Sequence, residues 1–211
     1  MASDRFSFRK IVRQSRARET IDAILEASSR IVTREGVAGL TTNHVAELAG
    51  VSIGSLYQYF PGKDAVLHAL VQREFNKAVD GHVAFIESLD PATTPIEEAI
   101  AGLVDQIFDA QKHSRPFLRA ILMSVLSIRH LRFTLENDTR VLVAVRRKMA
   151  EYGVAGEALD TVTFVALHSL KGVQIGVVFA ERSADDRQLR AAMTRAIIAC
   201  VTPAEDKINQ E

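Results

Sequence analysis

The 211-residue sequence has no tryptophan, one cysteine, five prolines and no net charge. Each scarcity excludes something. A single thiol, Cys200, cannot close an intrachain disulfide or complete a cysteine-rich zinc site, so a packed core must hold the fold and a reducing compartment, the cytoplasm, is expected. The 26 basic and 26 acidic side chains cancel, so any argument for a polyanionic partner has to be local. Long apolar runs are missing too. Val141 to Val145 is among the longest and gives way at once to Arg146, Arg147 and Lys148, well short of the ~18 residues a bilayer requires. No membrane partner is expected. The N-terminus is basic but lacks the apolar stretch of a secretory signal.

What remains is an ordinary globular composition, 47% hydrophobic and 25% charged. The charge is unevenly placed. Residues 1–18 carry six basic side chains, Arg5, Arg9, Lys10, Arg13, Arg16 and Arg18, against one acid, Asp4. Such a run is a solvated tail or an arm that tracks phosphates, and the tail is the commoner case.

Strand signals are nearly absent and apolar residues recur at helical spacing throughout, so the chain is expected to be all-α. Ile21, Ile24, Leu25, Ser28, Ile31 and Val32 share one face of a first helix over 16–35, with Gly36 placed for a left-handed cap. Two short helices follow. Thr41 caps one at 42–49 that stops at Gly50, and Ser52 caps another at 53–60 that Pro61-Gly62 terminates, which is the helix-turn-helix signature. Beyond them the spacing predicts helices at about 63–89, 95–112, 115–128, 133–152, 157–181 and 185–201, nine in all. The domain division expected is a basic arm at 1–15, a helix-turn-helix domain at 16–62 and a helical body at 63–211.

Helices of about two turns are marginal alone and must lean on a shared core. That core is expected to comprise Ile24, Leu25, Ala27, Ile31, Leu40, Val45, Ala46, Leu48, Ala49, Val51, Leu56, Phe60 and Leu67. Burying those leaves Thr42, Asn43, His44, Ser52, Ser55, Tyr57, Gln58, Tyr59 and Lys63 facing out. Hydroxyls and an ammonium suit phosphate oxygens, amides suit base edges, and Gly54 removes a side chain where a duplex must come close.

The run from Thr41 through Val45-Ala46, Ala49-Gly50-Val51-Ser52, Gly54, Leu56-Tyr57 and Tyr59-Phe60 to Lys63 and Leu67 resembles the DNA-binding signature of the tetracycline-repressor (TetR) family. The resemblance covers residues 16–67 and is only architectural beyond residue 70. It implies a nine-helix, two-domain fold: a three-helix DNA-binding domain and a C-terminal domain for ligand binding and dimerisation. By position, Thr42, Tyr57 and Lys63 are implied phosphate contacts. Asn43, Ile53, Gly54, Ser55 and Gln58 fall where members meet base edges. Ile53 divides between core and base contact, and Tyr59 between packing and phosphate.

In the body, the helix at 157–181 is apolar almost all round and is expected to be buried on every side. With Gly172 and Gly176 permitting close approach, it and the helix at 185–201, begun by a capping-box-like Ser183–Asp186, are implied to pair with their symmetry mates in a homodimer. Phe75, Phe108, Phe117, Met123, Phe133, Phe164, His168 and Gln174 are candidates to line an effector pocket, although core packing is the commoner role of any one phenylalanine. No nucleophile motif, phosphate loop or dinucleotide fingerprint occurs, and the six histidines lack metal-ligand spacing, so no enzyme, cofactor or metal is expected. The expected function is a ligand-responsive repressor of a double-stranded DNA operator, with a small-molecule effector. Its rival is a helical carrier or interaction module whose helix-turn-helix is only structural.

Overall fold

A computed structural model describes residues 4–124, 128–154, 158–179 and 187–201. Among them are eight α-helices, one short 3-10 turn and no strand. They are α1 (Asp4–Glu35), the turn Val37–Gly39, α2 (Thr42–Ala49), α3 (Ile53–Tyr59), α4 (Lys63–Ser88), α5 (Ile96–Ser124), α6 (Ile128–Glu151), α7 (Ala158–Phe179) and α8 (Arg187–Val201). The chain divides into two compact units, Met1–Glu74 with Ala120–Val125, and Phe75–Arg119 with Leu126–Glu211. The division therefore falls inside α4, beyond the expected boundary at Gly62, because the first turns of α4 supply Val66, Leu67, Leu70 and Val71 to the buried residues.

Three helix boundaries differ from the sequence reading, the start of α6 at Ile128 instead of residue 133 being the smallest difference. α1 begins at Asp4 instead of residue 16, which makes the basic segment helical: no glycine or proline interrupts it, and its arginines and lysine are good helix formers. α5 runs unbroken through Pro116, where a division at 112–115 was expected. A proline costs one backbone hydrogen bond and a clash with the preceding turn. Burial of Phe108 and Phe117 on either side holds both flanks of α5 on one helical path.

In the N-terminal unit the local chemistry acts as the sequence anticipates. Gly36 takes φ 73° at the end of α1, and Gly50 takes φ 68° at the end of α2, both conformations that glycine adopts without strain. Thr41 accepts a hydrogen bond from His44 N at 3.2 Å and Ser52 one from Ser55 N at 3.0 Å, two N-caps that each contribute about 1 kcal/mol. Ser28, fully buried, donates to Ile24 O at 2.7 Å and so enters the core satisfied. Arg73 joins α4 to α1 by donating to Leu25 O at 3.2 Å. Ile24, Leu25, Ala27, Ile31, Leu40, Val45, Ala46, Leu56, Phe60 and Leu67 are buried. Leu48 is not. It is 45% exposed, one turn after His44, beside a groove lined by Arg30, Thr33 and Arg34 of α1. Ala49 and Val51 are only half-buried, since Val45 and Ala46 already fill the space against α1.

The second unit has its own core, built from Val79, Ile86, Val104, Phe108, Val145, Met149, Leu170, Val177, Met193 and Ile197 among others. Ion pairs rim it. Arg140 reaches Asp80 at 2.7 Å, Arg147 reaches Glu87 at 2.9 Å, and Arg146 pairs with Asp160. Lys148 is buried, yet it donates to Leu89 O at 2.8 Å and to Glu151 Oε2 at 2.6 Å. Arg190 lies over the Phe108 ring, 5.4 Å from its centroid, and clamps Asp105 at 2.8 Å and Asp109 at 2.7 Å, locking α8 to α5.

α7 corrects an expectation. Leu159, Thr163, Leu167, Leu170 and Val177 are buried on one side, whereas Phe164 is 53% and Ile175 49% exposed and Val165, Gly172 and Gly176 are also exposed. A helix apolar all round is thus covered by its own chain on one side only. Leu159–Val178 is also long and apolar enough to cross a membrane by length and composition, a test that a core or interface helix passes equally. Val143 of α6 is exposed as well.

Candidate nucleic-acid interface

The capped pair α2–α3 presents a continuous polar and aromatic surface. Leu56 is the fully buried pin of α3, and its burial turns Ile53, Gly54, Tyr57 and Gln58 outward. Tyr57 is 52% exposed, and its phenol lies 3.4 Å from Thr42 Oγ1, so the two helices share a hydroxyl contact at their outer edge. Asn43, Gln58, Tyr59 and Lys63 are exposed, while Thr42 and Ser55 are half-buried. Ile53 is 40% exposed, and Tyr59, at 37%, is partly packed and partly open to solvent. A methyl group added at Gly54 would meet only Ser52 Oγ, at 3.8 Å. The chain's own packing therefore does not demand a glycine there.

Besides the Thr42–Tyr57 contact, three residues of the candidate surface, Ser52, Ser55 and His44, are engaged within the protein. Ser52 caps α3 and shares a 2.8 Å hydrogen bond with Ser55 Oγ. His44 turns Nδ1 inward, donating to Gly39 O at 3.4 Å and lying 3.7 Å from Glu35 Oε2. Their side chains brace the motif.

Residues 24–70 match the model of the bacterial regulatory proteins of the tetR family. The matched segment is the helix-turn-helix unit of that family, from the middle of α1 into α4. The HTH-type transcriptional repressor KstR2 of Mycolicibacterium smegmatis is 29% identical over 92 residues, covering 44% of this chain and 43% of that protein. The match thus spans less than half the length of that curated relative. Likeness of fold extends further. A tetR-family regulator from Mesorhizobium loti superposes with a TM-score of 0.70 at 17% identity, over 88% of this chain and 95% of that one. FadR from Bacillus subtilis, solved in complex with stearoyl-CoA, does so at 0.61 and 17% identity, over 86% and 98%.

Outside the matched segment the candidate effector residues scatter. Phe108 and Phe117 are buried in the packing of α5, and Phe75 and Gln174 are half-buried. Phe164 and His168 stack on each other, ring centroids 3.9 Å apart, with His168 Nδ1 donating to Phe164 O at 2.8 Å. Because Phe164 is on the exposed side of α7, this pair does not share a cavity with Phe108. The side chains of Met123 and Phe133 lie outside the described residues, as does the Ser183–Asp186 capping box. An open groove of about 730 Å³ between α5 and α8 is lined by Asp105, Asp109, Arg187, Arg190, Thr194 and Arg195, none of them in the expected set. No group of three or more His, Cys, Asp or Glu with metal-binding geometry occurs among the described residues.

A polar cluster in the second unit escaped the sequence reading. His82 Nδ1 donates to Gln106 Oε1 at 2.7 Å. Burial holds the His82 imidazole below its ordinary pKa despite that bond, and the charge of Lys171 pushes it the same way. Lys171 itself is lowered to about 8 by burial. Two signals were present: a Gly81-His82 pair inside a long helix, and a lysine interrupting the apolar run of α7.

Proposed function

We propose that this protein is a homodimeric, cytoplasmic, ligand-responsive transcriptional repressor that binds double-stranded operator DNA through α2 and α3. The observation that carries the reading is the surface of α3 and its neighbours: exposed Ile53, Tyr57, Gln58 and Lys63 around an open Gly54, within the segment that matches the tetR-family model. Thr42, Tyr57, Tyr59 and Lys63 donate to phosphates, and Asn43, Ser55 and Gln58 hydrogen-bond base edges. Ile53 packs on a thymine methyl. The recognition helix has no arginine for a bidentate guanine contact, so groove shape carries part of the specificity. The basic start of α1 adds phosphate contacts instead of acting as a loose arm.

One α3 reads a single half-site, and a twofold dimer presents two of them to major grooves about 34 Å apart. The exposed side of α7, with Phe164, Val165, Ile175 and the two glycines, supplies the apolar surface that a symmetry mate covers, together with α8. The effector binds within the second unit. It releases DNA only in so far as it binds the non-matching conformer more tightly, and operator DNA weakens effector binding by the same factor. The homologue named as a repressor and the FadR complex with stearoyl-CoA support this reading by analogy.

Fluorescence anisotropy on the DNA upstream of the protein's own coding sequence tests it. Saturable binding of two protomers per site, reduced at least tenfold by Asn43→Ala with Gln58→Ala, is expected. Equal affinity of wild type and double variant for that DNA and for random duplex would favour the carrier or interaction module.

A further inference from the structure

We propose that Arg73 is a positioning residue for operator recognition: it fixes the angle at which the α1–α3 unit sits on the first turns of α4, and with it the half-site spacing that a dimer accepts. This rests on the reading of the protein as a dimeric operator-binding repressor. α3 joins α4 through Phe60, Pro61 and Gly62, and Val66, Leu67, Leu70 and Val71 of α4 are buried within the same compact unit as α1. Apolar burial of that kind is non-directional, so it opposes separation of the helices more than it opposes rolling of one on the other. A directional bond selects the angle.

Arg73 supplies it. Its Nη2 donates to Leu25 O at 3.2 Å, a main-chain atom of α1 that cannot swing to follow a displaced partner. The guanidinium is itself aimed, because Nε at 3.0 Å and Nη2 at 2.8 Å both donate to Glu74 Oε1, and Glu26 Oε2 of α1 lies 3.8 Å from Nη2. Arg73 lies ten residues beyond Lys63, so this attachment stands about 15 Å along α4 from the Phe60–Gly62 link. Two attachments that far apart define an angle where one alone would act as a pivot. From α1 the angle passes to α3 through the capped short helices, with Thr41 and Ser52 as caps and Thr42 against Tyr57 at the outer edge. Inserting one base pair between half-sites turns one relative to the other by about 34°. A recognition unit held at Arg73 refuses that displacement, and one free to roll on α4 follows it.

Anisotropy on the DNA upstream of the protein's own coding sequence, footprinted to place the half-sites and then altered by one or two base pairs between them, tests this with full-length wild type, Arg73→Met and Arg73→Lys. Wild type is expected to prefer the native spacing at least tenfold over one inserted base pair. Arg73→Met, which keeps the apolar stem but loses every donor, should reduce that preference fivefold or more, while its affinity for an isolated half-site and its helical circular dichroism stay at wild-type values. Arg73→Lys, which retains a donor for Leu25 O, should recover most of the preference. Loss of affinity by Arg73→Met in equal proportion at every spacing would mark a contribution to stability alone and overturn the proposal, as would an unchanged preference. The two levels separate in the same titrations. Spacing-dependent binding that ignores Arg73 removes this inference alone, whereas wild type without specific binding to that or any selected duplex removes the repressor reading and this inference with it.

Discussion

α3 and α7 both expose large apolar side chains, and to a similar degree: Ile53 and Tyr57 at 40% and 52%, Ile175 and Phe164 at 49% and 53%. Their surroundings differ. On α3 the apolar atoms are separated by Ser55 and Gln58 and by the Tyr57 hydroxyl, with Thr42, Asn43 and Lys63 at the flanks. On α7 they adjoin Val165, Gly172 and Gly176. Exposure alone does not identify a partner. The first arrangement has donors for a polyanion and one methyl-rich group for a base edge, and the second has shape and area for another apolar helix.

The sharpest way to break this comparison is to exchange the pinned and presented residues of α3. Leu56→Ala removes a fully buried side chain and is expected to cost about 2–5 kcal/mol in urea denaturation. Ile53→Ala, three residues earlier, should stay within about 0.5 kcal/mol of wild type in the same experiment while lowering operator affinity. A comparable stability loss in both variants would return Ile53 to the core. On α7, Ile175→Lys places a charge on the exposed apolar side. Sedimentation velocity should show conversion of dimer to monomer with the helical circular dichroism retained, and an unchanged dimer would move the interface elsewhere.

Lys171 gives a pH signature. Its folded pKa, about 8, lies below the ordinary 10.5, so between these values the unfolded chain binds more protons than the native one. Stability attributable to this group therefore rises with pH from about 8 to 10.5, and below 8 the penalty for charging it is fully present. Lys171→Met should flatten that rise, and matching pH–stability curves would show that burial does not act on this lysine. The smallest effect belongs to Tyr152, whose hydroxyl is buried without a hydrogen-bond partner among the described residues. Tyr152→Phe removes the unsatisfied group and is expected to be neutral or to stabilise by up to about 1 kcal/mol, whereas a loss of more than 1 kcal/mol would reveal a partner for it.

The N-terminal unit was the more legible of the two because its rules are local. A threonine or serine cap, a left-handed glycine and an apolar repeat each act within four residues, and Thr41, Gly50, Ser52 and Leu56 behave as their positions require. Leu48 is the exception, since its exposure depends on how completely Val45 and Ala46 fill the space against α1. The second unit was legible as helices but not as surfaces. Hydrophobicity marks α7 as covered without stating whether its own chain or a second copy covers it. The His82–Gln106 hydrogen bond joins residues 24 positions apart on different helices, a distance over which periodicity carries no information. Pro116 shows the limit from the other side, because a local breaker yields to burial of its neighbours in α5.

The most direct test of the central claim is the salt dependence of operator binding, measured by anisotropy for wild type and for Tyr57→Phe with Lys63→Ala. A protein that holds phosphates through these residues should lose affinity steeply with salt, and the double variant should bind more weakly with a slope smaller by about 1 to 2 per half-site. A flat salt response, or a double variant with the wild-type slope and affinity, would contradict the account.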